Sequence, residues 1–142
     1  LDRIINFFPE ERRQQLLMDL SLNTKAFVSQ RLIPREGGIG RVAAMDILLN
    51  TPLIADLSFK GEGGQIKEIM AKSTRLGMQT FDQALFALYE SGTITYEEAM
   101  RNADSKNELR LRIKLESKRD STAADQQSES LRIMDEDTAQ TF

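Results

Sequence analysis

Gln30-Arg31-Leu32-Ile33-Pro34-Arg35-Glu36-Gly37-Gly38-Ile39-Gly40-Arg41-Val42-Ala43-Ala44-Met45-Asp46-Ile47-Leu48-Leu49 is the stretch on which the fold turns. A short segment containing Leu32 and Ile33 meets a glycine cluster, and Arg41 to Leu49 behind it is rich in apolar residues. Glycine supplies the positive φ that a tight connection needs, and apolar segments on both sides suit a pleated, half-buried surface. The stretch predicts two short strands joined by a glycine turn. Gly38 to Ala43 also reads G-I-G-R-V-A, the formal pattern of a dinucleotide-binding turn. Such a turn follows a strand and opens a helix, with an acidic residue about 20 positions on that reaches the ribose. Here the residues after Gly40 look strand-like and the acidic candidate, Asp56, comes early, so the hairpin is the better reading.

Upstream, Pro9 suits a first helical turn because its missing N–H needs no partner there, and Glu10 and Glu11 follow where the helix dipole favours anions. Leu16, Leu17, Leu20, Phe27 and Val28 recur near helical spacing from Arg12 to Ser29, which predicts a helix reaching almost to the first strand. Downstream, Thr51-Pro52 pairs a capping hydroxyl with a proline at the first helical position, and a short helix to about Phe59 follows. The Gly61–Gly64 cluster breaks it. Ile66, Ile69 and Met70 then share a face of a further helix that ends before Gly77. Thr80 with Gln83, Thr95 with Glu98 and Ser105 with Glu108 each match the capping-box spacing, so three more helices should start there. The first ends at Gly92, the second near Ala103, and the third runs to about Lys118 with Leu109, Ile113 and Leu115 as its apolar stripe.

The chain has 142 residues, a formal net charge of -3, and no cysteine, histidine or tryptophan. Without Cys and His it cannot build the usual zinc sites, a disulfide framework or a histidine-assisted nucleophile. Paired carboxylates at Glu10-Glu11 and Glu97-Glu98 both fall in predicted first turns, where the dipole accounts for them. The basic run Arg110, Arg112, Lys114, Lys118, Arg119 is interrupted by Glu116 and has no aromatics between, so it reads as a solvated or subunit-facing helix rather than a nucleic-acid surface. No apolar run approaches the ~20 residues that cross a bilayer, and no G-x-x-x-x-G-K-[ST] occurs. From Arg119 onward the acidic residues Asp120, Asp125, Glu129, Asp135, Glu136 and Asp137 face only Arg119 and Arg132, leaving a nearly neutral body with an acidic tail. That tail is expected to be disordered, with Ser130 to Asp135 as its one stretch suited to docking. The opening at Leu1, with no initiator Met, suggests a piece of something larger.

Five blocks in register carry a resemblance: Arg3-Ile4-Ile5-Asn6-Phe7-Phe8-Pro9-Glu10-Glu11, Val28-Ser29-Gln30-Arg31-Leu32, Gly40-Arg41-Val42-Ala43-Ala44, Thr51-Pro52 and Leu76-Gly77-Met78-Gln79-Thr80-Phe81-Asp82. Together they resemble the C-terminal third of the type IV pilus retraction (twitching motility) ATPases, the PilT/PilU family, and the charged helix and polar tail after Ala103 look like the PilU branch. The resemblance implies an α/β, RecA-like motor that forms a hexameric ring at the cytoplasmic, inner-membrane base of the pilus and couples ATP hydrolysis to retraction. Its Walker A loop, acidic boxes and histidine box would lie before Leu1, so no catalytic, cofactor-binding or metal-binding residue is expected here. ATP and Mg belong to the parent and are not expected to bind this segment alone. Implied partners are further copies of the subunit, a PilT-type motor in a hetero-assembly, and the inner-membrane platform protein. Nucleic acid is not among them.

The same resemblance divides the chain into residues 1–50, a helix plus hairpin finishing the ATPase core, residues 51–118, a C-terminal helical bundle, and an acidic tail over 119–142. The segment itself is expected to be mostly helical with one short hairpin. PilT proteins carry an A-I-R-N-L-I-R-E helix needed for retraction directly after the Thr-Pro step. The aligned residues here run from Leu53 to Lys60, and only Ile54 and Leu57 match. Ile54 and Leu57, with Gly77, Met78, Gln79 and Thr80, are therefore the candidates for motor coupling or subunit contact. Cut from its parent, the hairpin should also expose apolar surface along Val42 to Leu49 and favour self-association. The alternative from another class is a free-standing helical module that binds a protein partner.

Overall fold

Thr24, not Ser29, is where the second helix stops, and the reason lies at the other end of the hairpin. In a computed structural model describing residues 2–119, a short α1 (Asp2–Ile5) leads to α2 (Glu10–Asn23), and β1 (Ala26–Pro34) begins almost at once. The Asn50 side chain donates to the Ser21 and Thr24 carbonyls at 2.8 and 2.9 Å, and its backbone N–H donates to the Lys25 carbonyl. These bonds satisfy acceptors that the end of a helix leaves open. Phe27 and Val28, expected in the helix, therefore lie on opposite faces of a strand, Phe27 against the core and Val28 exposed.

β2 (Arg41–Leu49), over the residues expected for it, pairs with β1 in a two-stranded antiparallel hairpin, and β1 begins four residues before the expected start at Gln30. Gly37, Gly38 and Gly40 all carry positive φ in the connection. The exposed apolar surface of the hairpin sits chiefly on β1, where Val28 and Leu32 are 58% and 55% exposed. On β2, where it was expected, Met45 is 36% exposed, while Ala44 and Leu48 are buried.

Helices supply the rest: α3 (Pro52–Lys60), α4 (Gly63–Lys72), a 3₁₀ turn at Thr74–Leu76, α5 (Phe81–Glu90), α6 (Tyr96–Asn102) and α7 (Lys106–Glu116). The Thr80 capping box forms in both directions, Gln83 N–H to the Thr80 hydroxyl and Thr80 N–H to the Gln83 side chain. At Thr95 the hydroxyl accepts from Glu98 N–H, while the Glu98 carboxylate turns to Arg101 and Asn102. Ser105 makes no side-chain cap bond to α7. Leu109 and Ile113 form the buried stripe of α7, and Leu115, expected with them, is exposed.

The described residues fall into two compact units. The first takes residues up to Leu32 and Ala43–Ala84, around a core of Leu48, Ile54, Leu57, Ile66, Met70 and Met78 with Phe27, Leu49 and Ile69 packed against it. The second takes Ile33–Val42 and the residues from Leu85 on, and buries Ile33, Leu85, Tyr89, Ile94, Leu109 and Ile113. In this second unit the segment after α7 is strapped down. Ser117 Oγ and Lys118 N–H both donate to the Glu90 carboxylate, and Arg119 Nη1 donates to the Tyr89 carbonyl at 2.6 Å while its guanidinium lies 4.9 Å from the Tyr89 ring centroid. Arg119 also pairs with Glu36 at 3.2 Å, beside the hairpin turn. The acidic residues expected to form a tail lie outside the described residues.

Candidate functional site

Thr51 sets the position of α3. Its hydroxyl accepts from Ile54 N–H at 3.4 Å, Pro52 fills the first helical position, and Gly61 ends the helix in the left-handed conformation at φ 72°. That start and stop fix which face turns inward: Ile54, Leu57 and Ser58 are buried, while Leu53, Asp56 and Phe59 face out. Asp56 and Lys60 pair at 2.7 Å on the outer face. The Asp56 carboxylate, through that hydrogen bond, raises the Lys60 pKa above its ordinary value.

Gly77 through Phe81 forms the second half of the site. Gly77, at φ 87°, closes the 3₁₀ turn, and its N–H donates to the Thr74 carbonyl. The next residue, Met78, then points into the core beside Ile54 and Leu57. Gln79 forms an isolated antiparallel bridge with Ile47, with N–H to O bonds of 2.8 and 2.9 Å, and its side-chain amide donates to the Met45 carbonyl at 2.8 Å. Thr80 caps α5. The Gln83 amide, held by that cap, also donates to the Ala71 carbonyl at the end of α4. Finally the Arg31 guanidinium lies 4.1 Å from the centroid of the Phe81 ring, a cation–π contact to β1.

The structure thus gathers Ile54, Leu57 and Met78 into one core, and sets Gly77, Gln79 and Thr80 around its rim. Residues 77–83 join β2, α4 and β1 through a bridge, a cap and an aromatic face. Sequence reasoning missed Asn50, Arg31 and the second role of Gln83. Their partners are far along the chain, and no local spacing signals them.

Among the described residues no group of three or more acidic side chains is placed to hold a metal ion. The glycine turn offers no fit for a nucleotide's phosphates: Gly38 N–H donates to the Arg35 carbonyl, Arg35 N–H to the Gly40 carbonyl, and Arg41 continues as a strand rather than a helix. Among the described residues no helix is long and apolar enough to cross a membrane.

Comparison with known proteins gives this arrangement a context. No family model matches the chain. It is 55% identical over 141 residues to the type IV pilus ATPase PilU of Pseudomonas aeruginosa, covering 98% of this chain and 37% of that protein. It is 36% identical over 103 residues to the type IV pilus retraction ATPase PilT of the same organism, covering 72% of this chain and 30% of that one. Among solved structures it resembles the pilus retraction motor PilT with bound ADP, with a TM-score of 0.66 and 34% identity over 78% of this chain and 30% of that chain. The structural neighbours are RecA-like ATPases, as the expected parent fold requires. The chain spans about a third of the length of the curated relatives it matches.

Proposed function

Starting from a chain that carries a segment of the PilT/PilU family of type IV pilus ATPases, we propose that it is a motion-transmitting part of a pilus retraction motor subunit. Identity to a pilus ATPase through nearly the whole chain carries this reading. ATP and Mg would be held by parts of the subunit outside this segment, where a nucleotide-binding loop can exist. The division into a core part at 1–50, a helical bundle at 51–118 and a tail at 119–142 is retained as a proposal about that parent, as are the hexameric ring, the hetero-assembly with a PilT-type motor, the platform-protein contact and the place at the cytoplasmic, inner-membrane base of the pilus.

Within this reading the work of the segment is mechanical. Ile54, Leu57 and Met78 are interlocked in a close-packed core, which transmits displacement rather than absorbing it. Gln79 ties that core to β2 by two main-chain bonds and one side-chain bond, so a movement of the strand is passed to α3 and to the start of α5. The alternative of a free-standing interaction module is not carried forward, because the match runs inside much longer ATPases. Deleting the gene in its host and scoring surface pili and twitching tests the proposal. Loss of twitching with pili retained, restored by the full-length gene, is the expected result. Normal twitching in the deletion strain overturns it.

A further inference from the structure

Helix α7 has two apolar faces, and only one is buried among the described residues. Leu109 and Ile113 are 1% and 2% exposed in the core of their unit. Leu111 and Leu115 are 58% and 75% exposed, and they stand one helical turn apart on the opposite side. At 100° per residue the exposed Glu108 borders that pair on one side, and on the other stand three basic residues, Lys114, Arg110 beyond it and Lys118 just past the helix end. All three are exposed. The neighbouring Arg112 is spent inward, 4.5 Å from the Phe86 ring centroid and paired with Glu116.

We propose that this face is a docking site for the chain's own segment from Glu129 to Asp137. That segment reads Glu-Ser-Leu-Arg-Ile-Met-Asp-Glu-Asp. Leu131, Ile133 and Met134 supply the apolar contact, and Glu129, Asp135, Glu136 and Asp137 supply negative charge for Arg110, Lys114 and Lys118. The tether permits it. Arg119 is anchored on the Tyr89 carbonyl and on Glu36 at the foot of α7. The 12 steps from Arg119 to Leu131 reach at most about 40 Å, and the 11-residue α7 is only about 16 Å long. The local concentration set by so short a link lets a weak contact form without a second protein.

The test uses a spin label on the full 142-residue chain, whose lack of cysteine makes Thr138→Cys a single labelling site. Labelled, isotope-enriched chain is diluted into excess unlabelled, natural-abundance chain, and the amide signals of Arg110 to Leu115 are read by NMR. Expected is a loss of those signals that is relieved in the Leu111→Ser/Leu115→Ser variant and reduced at 1 M salt, where the Debye length falls to about 3 Å. Equal signal loss in the variant means that tethering alone brings the label close, and it overturns the proposal. So does signal loss seen only when label and isotope are on different chains, which makes a second copy the occupant. Undiminished α7 signals overturn it as well, and leave the face to another protein.

Discussion

Gln79 and Ile47 exchange both of their main-chain hydrogen bonds, at 2.8 and 2.9 Å, across an antiparallel bridge outside the hairpin. The bridge extends β2 sideways by one residue. It also fixes the residue before and the residue after: Met78 is turned into the core, and Thr80 is left in place to cap α5. Met78 is therefore expected to be costly to truncate. Met78→Ala should lower stability by about 2–5 kcal/mol, the range for cutting a large buried side chain to alanine. Leu76→Ala, two positions away and exposed, should stay within about 0.5 kcal/mol. Chemical denaturation of the two variants side by side checks this, and similar losses for both would contradict the core placement.

Gly77 holds φ at 87°, and a Cβ there would meet only Leu49 Cδ1 at 3.9 Å, an ordinary contact. The cost of substitution comes from the backbone alone. Gly77→Ala should destabilise by about 1–2 kcal/mol, and Gly77→Asn by less, because asparagine tolerates the left-handed region. Equal melting temperatures for the asparagine and alanine variants would argue against this account.

Ser58 is buried on α3, and its hydroxyl has no hydrogen-bond partner among the described residues. A buried hydroxyl left unpaired costs about 1–3 kcal/mol. Ser58→Ala removes that cost and adds a better helix former, so a rise in thermal stability is expected. A fall would mean that the hydroxyl is satisfied.

Glu90 accepts from Ser117 Oγ at 2.7 Å and from Lys118 N–H at 2.8 Å. The Ser117 bond first, and the Lys118 bond after it, hold its pKa below the 4.5 of an ordinary glutamate. A carboxylate with a depressed pKa in the folded state favours folding fully above the ordinary value, and that contribution is lost as pH falls through the folded value. The strap over residues 117–119 should accordingly persist to more acid pH than a free glutamate would allow. The Lys118 amide shift, followed by NMR against pH, should step below 4.5, and the step should vanish in Glu90→Gln.

Local signals in the sequence reach far into this fold, and they stop where partners are distant. The glycine turn, the Thr51-Pro52 helix start and the Thr80–Gln83 box are each decided within a few residues, and all are where their spacing puts them. The end of α2 is not. Phe27 and Val28 fit a helical period and a strand equally well, and the choice is made by Asn50, more than 20 residues away in the chain. Leu115 fits the stripe of Leu109 and Ile113 only if a helix has one apolar face, and α7 has two. In the candidate site, Ile54 and Leu57 were legible as an inward face. That Met78 meets them, and that Arg31 covers Phe81, depends on tertiary placement that no spacing records.

The central proposal is that this segment passes motion on within its subunit, and Gln79 tests it most directly. Gln79→Ala removes the bond to the Met45 carbonyl, worth about 0.5–1.5 kcal/mol, and leaves the main-chain bridge able to form, so the protein should still fold. Placed in the full-length motor, the variant should hydrolyse ATP at close to the normal rate while twitching drops sharply. Hydrolysis falling in proportion to twitching, or twitching left intact, would contradict the account.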